Sequence, residues 1–566
     1  MKVEQTMAQS ALARLLEVEK FTDEKMVTLG LWRGEAHSVL AQFLRMADSD
    51  FSGGRFGNWK KRNPDRGANI LSRLSYLVPY IRNGILRPAP LLSEEHFRSS
   101  VAHMEDLKDA IIYAHFCEVM PEVRRFGHII SIEADRLEIR HKDRDFEAFE
   151  ERDIVASELS IAFTSKRPEM NPRLATKVML AWPTAQLRDV VALLKDPYLL
   201  YLDTVFEEEL LPDAEYRNCF GFDRTTFIKV RAALMAIGFL CNQLATAAEA
   251  RSLEVPKQKK KWANKALWWT APLLNLDCVT AVLRQMTQCP TDEIDAVLSF
   301  FVEDLAGQSD LISGDGYLAP LFKFGEKLLI GSWSTLVMMT ERNLLYISNK
   351  REQKHFNEVI SQHLEPRLLE VAEEIFSTVP GTVTKKNVVW AKGEIDLLVF
   401  CADTNSAFQI QAKACIPAQG ARMTRQVETN TLKAVEQLIA VEKLSQADRD
   451  GIINSAFNTR TADVRWSSGA LSRSSFGTSN AWQAIGERAA INPSILRLLA
   501  REHNAWKGDL AALPKISNDI VDRLVKDTSG GWTRGLLSMF EFEIGIPLLN
   551  LDYEKTFTAR QEIKAG

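Results

Sequence analysis

Asp396, Gln411 and Lys413 are the residues whose types and spacing could do chemistry. They lie in 391–415, Ala-Lys-Gly-Glu-Ile-Asp-Leu-Leu-Val-Phe-Cys-Ala-Asp-Thr-Asn-Ser-Ala-Phe-Gln-Ile-Gln-Ala-Lys-Ala-Cys, which reads as two strands joined by a short polar turn. Strand side chains alternate between faces. Glu394 and Asp396 therefore share one face of the first strand, and Gln409, Gln411 and Lys413 share one face of the second. The opposite faces, Ile395, Leu397 and Val399 with Phe408, Ile410, Ala412 and Ala414, suit a buried sheet. A carboxylate on one strand beside a lysine on the next is the arrangement that metal-assisted phosphodiester cleavage needs. The carboxylate holds Mg²⁺, which acidifies water and offsets charge on the phosphate. The lysine orients the water or stabilises developing negative charge. Gln411, two positions before the lysine, adds an oxygen on the same face.

Several elements must position this pair of strands. Upstream, 334–378 reads as helical in three segments, 334–347, 354–364 and 367–376, with an interruption expected at Pro366 because proline lacks a backbone donor and disfavours helix in the residue before it. Val379-Pro380-Gly381 ends that region, and 382–390 reads as a further strand. Downstream, 426–443 reads as a helix with Leu432, Val435, Leu438 and Ile439 on one side. The order is helix, strand, strand, strand, helix.

Gly393-Glu394-Ile395-Asp396-Leu397-Leu398, followed by Gln411-Ala412-Lys413, resembles the PD-(D/E)XK nuclease superfamily, nearest its Mrr-like, restriction-endonuclease-like members. The likeness covers roughly 350–445, under a fifth of the chain. It implies Asp396 as the principal metal ligand, Gln411 as the second and Lys413 as the catalytic lysine, with Mg²⁺ (or Mn²⁺) as cofactor. It also implies an acid on the preceding helix, for which Glu358 is the first choice and Glu374 the second, and a glutamine on the following helix, Gln437. The sequence departs from the family pattern at Gln411, where most members have Glu. A neutral amide oxygen binds a hard cation less tightly than a carboxylate, so a nuclease fold that binds without cutting is the alternative.

The 566 residues, 46% hydrophobic and 25% charged, are ordinary for a globular protein of two to four domains. The fold class expected is a mainly α N-terminal region plus an α/β C-terminal restriction-endonuclease-like domain, a central mixed sheet flanked by helices. The boundaries expected are 1–310 for a helical recognition region with a hairpin near 126–142, 311–450 for the nuclease core, and 451–566 for an extension that completes or flanks it. Within that extension, 458–480 reads as a flexible surface loop rich in Ser, Thr, Gly and Arg, and 540–547 as a strand-like run without a placement. Seven cysteines without C-x-x-C spacing indicate neither a zinc finger nor a disulfide framework. His128 and His141 read as structural, since nothing at metal spacing completes a ligand set. No secretory leader and no membrane span is expected, which points to a cytoplasmic protein. There is no Walker A pattern.

The net charge of −4 means that any nucleic-acid contact must use local basic patches. Two basic stretches carry interleaved aromatics. One holds Lys60, Lys61 and Arg62 near Phe56 and Trp59. The other holds Lys257, Lys259, Lys260, Lys261 and Lys265 near Trp262, Trp268 and Trp269. Lysines there would meet phosphates and the rings would stack on bases. The expected partners are thus nucleic acid, DNA before RNA, and proteins that dock on the helical N-terminal region. Large recognition regions fused to such nucleases resemble restriction and anti-phage defence effectors.

Overall fold

The computed structural model describes residues 2–52, 64–85, 104–133, 136–160, 169–182, 185–203, 210–305, 319–416 and 421–565. Lys60, Lys61, Arg62 and the expected boundary between 310 and 311 lie outside them.

The N-terminal region is helical, as its periodicity implies. Its axis is the helix Arg224–Glu254, whose residues are apolar on nearly every side and are buried among the helices Pro172–Ala181, Leu187–Asp203, Lys259–Thr270 and Ser332–Met338. This helix is long and apolar enough to cross a membrane, but most of its apolar window is buried against protein. Gly238 marks a close crossing with the helix Ser332–Met338. A Cβ there would stand 2.8 Å from the Ser332 carbonyl oxygen, so only glycine admits that approach.

The α/β unit is built on a five-stranded sheet in the spatial order Ala489–Ile491, Arg465–Ser472, Ser406–Lys413, Gly393–Cys401, Thr382–Trp390. The last three form an antiparallel meander. Arg465–Ser472 runs parallel to Ser406–Lys413, and the helix Ala421–Glu442 lies in the crossover that parallel pairing requires. One face packs on the helix Ser361–Ser377 through Leu368, Leu369, Ala372 and Phe376. The other packs Leu398, Phe400 and Ala407 with Val441 and Ile453 of the following helices.

Three expectations are overturned, the first two because both faces of the sheet are covered. Gln409 and Gln411 do not project from an open polar face; they are 1% and 0% exposed. Gln409 instead donates to the Leu438 carbonyl at 3.2 Å and to Ser468 Oγ at 2.8 Å. Residues 465–472 are not a flexible loop but the fourth strand. Its small residues fit a strand enclosed on both sides: a Cβ at Gly469 would stand 2.5 Å from Phe408 Cζ. Pro366 does not interrupt the helix Ser361–Ser377. A π-helical turn, Phe356–Ile360, precedes it. Ser361 Oγ donates to the Asn357 carbonyl at 2.8 Å, and Gln362 Nε2 donates to that of Glu358. Both acceptors are carbonyls of the π-helical turn itself.

The hairpin near 126–142 forms as expected, from Ile129–Glu133 and Arg136–Arg140. Its second strand runs parallel to Phe542–Leu551, pairing Leu137 with Ile544 and Glu138 with Gly545, so the unplaced 540–547 run completes a sheet begun four hundred residues earlier. The helix Arg144–Leu159 likewise crosses the expected boundary. Its Val155, Ala156 and Leu159 belong to the core of the α/β unit. Its buried Asp153 accepts from Ser475 Oγ at 2.8 Å, Phe476 N at 2.7 Å and Trp482 Nε1 at 2.9 Å.

Each donor left unpaired in a buried site costs about 1–3 kcal/mol. Asp153→Ala strands three of them, and is expected to lower unfolding stability by on the order of 3–5 kcal/mol, read from the urea midpoint of the α/β unit. Asp153→Asn, which keeps an acceptor, is expected to lose less.

Candidate active site

The site is made where two strands part. Gly393–Cys401 and Ser406–Lys413 pair from Cys401 with Ser406 as far as Leu397 with Ile410, and no further. Gly393–Cys401 meanwhile stays paired with Thr382–Trp390 down to Gly393. Backbone groups released by such a fork must find partners. Two side chains supply them. Asp396 Oδ2 accepts from the Ala412 amide at 2.8 Å, and Gln411 Nε2 donates to the Glu394 carbonyl at 2.8 Å. The carbonyl acceptor also fixes which end of the Gln411 amide is nitrogen. Gln411 Oε1 is then left buried with no hydrogen-bond partner among the described residues.

Lys413 closes the cluster. Its Nζ lies 3.7 Å from Asp396 Oδ2 and 3.5 Å from Glu365 Oε2. Desolvation pushes the Asp396 carboxyl up to about 6; Lys413 and the Ala412 amide oppose that rise, while Glu365 and Glu394 add to it. Burial likewise raises the neighbouring Cys415 thiol, whose sulfur accepts from Asn430 Nδ2 at 2.9 Å.

Asp396, Gln411 and Lys413 are therefore brought together. Glu358 is not with them: its side chain is 63% exposed in the π-helical turn and faces Lys354 at 4.0 Å. Glu374 pairs with Arg367 at 3.0 Å. The acid that reaches the lysine is Glu365, which the expected break at Pro366 concealed. Nine residues at about 100° each put Glu374 half a turn away from Glu365. In an unbroken helix, Glu365 stands three, four and seven residues before Leu368, Leu369 and Ala372. It thus lies half-buried at the edge of the buried stripe, and that position was the available signal. Gln437 is exposed on its helix. The residue of that helix seen to reach toward the cluster is Asn430, through Cys415. Glu394 is exposed and contributes its carbonyl to the fork rather than its carboxylate to the cluster.

The second basic stretch keeps its charge but not its aromatics. Lys257, Lys259, Lys260 and Lys261 are exposed. Trp262, Trp268 and Trp269 are buried and pack in the core with Trp182, so they cannot stack on bases. Lys265 donates to the Met179 carbonyl at 2.9 Å.

Comparison of the chain with protein-family models, curated proteins and solved structures finds no match.

The residues at the fork fit a hard divalent cation. Such a cation takes oxygen ligands, including carboxylates and side-chain amide carbonyls. Asp396 and Glu365 offer the carboxylates, and the unpartnered Gln411 Oε1 offers the amide oxygen.

The raised Asp396 pKa fixes a pH dependence. Its folded value lies above its unfolded value, so the charged carboxylate costs stability above about pH 6, and the cost disappears below about pH 4. Asp396→Asn retains an acceptor for Ala412 and carries no charge. Without divalent cations it is expected to be more stable than wild type at pH 7.5 by on the order of 1–2 kcal/mol. That advantage should shrink as thermal melts are repeated from pH 6 down to pH 4.

Proposed function

We propose that the chain is a metal-dependent nuclease with a restriction-endonuclease-like core, using Mg²⁺ or Mn²⁺ to hydrolyse phosphodiester bonds, in DNA before RNA. The observation that carries this reading is the meeting of Asp396, Glu365 and Lys413 at the strand fork, beside the buried, unpartnered carbonyl of Gln411. The element order of the α/β unit supports it: helix, three antiparallel strands, crossover helix, parallel strand. The preference for DNA, and a setting in restriction or anti-phage defence with partner proteins on the helical N-terminal region, rest on the family resemblance.

Asp396, Glu365 and Gln411 would hold the cation. The chemistry such a cation supplies is positive charge facing the phosphate and acidification of water. Lys413, placed between the two carboxylates, would stabilise negative charge that develops on the phosphate. The Asp396–Ala412 bond holds the carboxylate in place, so little reorganisation is needed when substrate binds.

The test is degradation of plasmid and linear DNA with Mg²⁺ or Mn²⁺. Asp396→Ala, Lys413→Ala and Glu365→Ala are each expected to lower the rate by about 100-fold or more. Glu358→Ala and Glu374→Ala should cut like wild type. If wild type, Asp396→Ala and Lys413→Ala all behave alike, the site assignment is wrong.

One observation favours a second reading, a nuclease-fold subunit that binds nucleic acid or partners without cutting. Gln411 is neutral, and its amide nitrogen is already committed to bridging the strands. On that reading DNA binding persists without metal-dependent cleavage. Replacing Lys257, Lys259, Lys260 and Lys261 by Ala should then weaken binding and flatten its salt dependence, by roughly one unit of log–log slope for each phosphate no longer neutralised. Lys265→Ala, which removes a bond to the Met179 carbonyl, should lower stability instead.

A further inference from the structure

A second cluster lies outside the strand fork. His128 and His141 flank the hairpin Ile129–Glu133 and Arg136–Arg140, immediately before its first strand and immediately after its second. The ladder pairs Ile129 with Arg140, so the two histidines stand opposite each other at the open end. Glu150 comes to them from the helix Arg144–Leu159, whose start is set by Asp143 Oδ1 accepting from Phe146 N at 2.8 Å. Read from the sequence, the two histidines had no third ligand; the fold supplies it.

Glu150 Oε2 lies 3.2 Å from His141 Nε2 and 3.9 Å from His128 Nε2. One donor atom from each residue falls within 4.8 Å of the other two. A tetrahedral shell with metal–ligand bonds of about 2.1 Å spaces its donors by about 3.4 Å, so small side-chain shifts close the set on one ion. The histidine side chains are 8% and 6% exposed. His141 Nε2, facing Glu150, has no hydrogen-bond partner among the described residues. Burial depresses the His128 pKa, opposed by Glu150 and reinforced by His141. The surroundings complete a metal site's usual anatomy. Glu147 Oε2 lies 3.8 Å from His141 Nδ1, on the far side of the ring, where an orienting carboxylate belongs. Phe146 and Trp532 pack against the imidazoles, at centroid distances of 5.3 Å from His128 and 4.2 Å from His141.

We propose that His128, His141 and Glu150 bind a Zn²⁺-class transition-metal ion that ties the hairpin to the helix Arg144–Leu159. Two imidazoles and one carboxylate suit Zn²⁺ rather than Mg²⁺ or Ca²⁺, which prefer all-oxygen shells. Three protein ligands leave a fourth position for water. Trp532 comes from the strand Ser529–Met539, so the ion stands where the early hairpin, the helix and the C-terminal hairpin meet. Its role is a staple: it stabilises the folded chain by binding it and not the unfolded one. The site is separate in residues and in metal preference from the strand fork.

The experiment uses the full chain, stripped with a chelator and titrated with Zn²⁺ against a chromophoric competitor, and with Co²⁺ as a visible-absorbing probe. One Zn²⁺ per chain is expected at micromolar affinity or tighter, with a Co²⁺ spectrum of a four-coordinate nitrogen–oxygen site and a higher melting temperature on Zn²⁺ addition. Glu150→Gln, which keeps shape and hydrogen-bonding capacity, should weaken binding by about 100-fold and remove the thermal shift. Glu147→Gln should weaken it by about 10-fold. Asp396→Ala should leave the Zn²⁺ stoichiometry unchanged, which separates this outcome from any failure of the nuclease reading. The proposal is overturned if neither metal binds more tightly than about 1 mM, or if Glu150→Gln and His141→Ala chains, shown folded by circular dichroism, bind Zn²⁺ as wild type does.

Discussion

The α/β unit turns on the parting of two strands after Leu397 and Ile410. Continued in the same register, the ladder would set Asp396 opposite Gln411, Ile395 opposite Ala412 and Glu394 opposite Lys413, with facing backbone groups bonding to one another. Asp396 and Gln411 would then have nothing to hold them. Because the strands part, both side chains are drawn into the gap as substitutes for the missing ladder. An Asp that must replace a backbone acceptor cannot swing out to solvent, and it accepts the desolvation that lifts its pKa. The same bond that orders the fork therefore prepares the carboxylate for a cation or a cationic side chain. Lys413 fills that role from the strand end, and Glu365 of the neighbouring helix meets the same ammonium from its other side.

What the sequence makes legible follows from how local each signal is. The two-strand stretch 391–415 and the hairpin 129–140 announce themselves by alternation and a short turn, both properties of adjacent residues. Asp396 and Lys413 are found the same way, since strand periodicity puts them within reach. Glu365 is not legible by that route. Its position depends on the helix running unbroken through Pro366, against the local signal of the proline. Arg465–Ser472 is missed because Ser, Gly and Ala look like a loop until Phe408 is seen pressing on Gly469. The tryptophans of 262–269 mislead for the converse reason. Aromatic residues beside lysines suit a base-stacking surface or an amphipathic helix equally well, and only the burial of the rings decides between them. The His128–His141–Glu150 group falls in the same class as Glu365: two members are opposed by the hairpin, but the third arrives through helix packing.

Chain connectivity also shapes the unit. The α/β core is discontinuous in sequence, since Arg144–Leu159 is enclosed by elements near the other end of the chain. Asp153 is bonded to Ser475, Phe476 and Trp482, its partner Ser475 lying 322 residues away. The early hairpin pairs with Phe542–Leu551 in the same manner. Long sequence separations of this kind slow folding, because the loop must be closed before the contact rewards it.

The Asp153 bonds set a timetable during synthesis. The helix carrying Asp153 leaves the ribosome 322 residues ahead of Ser475. At about 5–20 residues per second, its buried carboxylate waits roughly a quarter of a minute to a minute for its donors. In that interval the helix exposes Val155, Ala156 and Leu159, the surface that the finished core encloses. The two strands of the fork are translated before Phe476 and Trp482 arrive to seat that helix. The unit thus reaches its final packing only after residues 475–482 have been made, so assembly of the core is timed by them rather than by the motif itself.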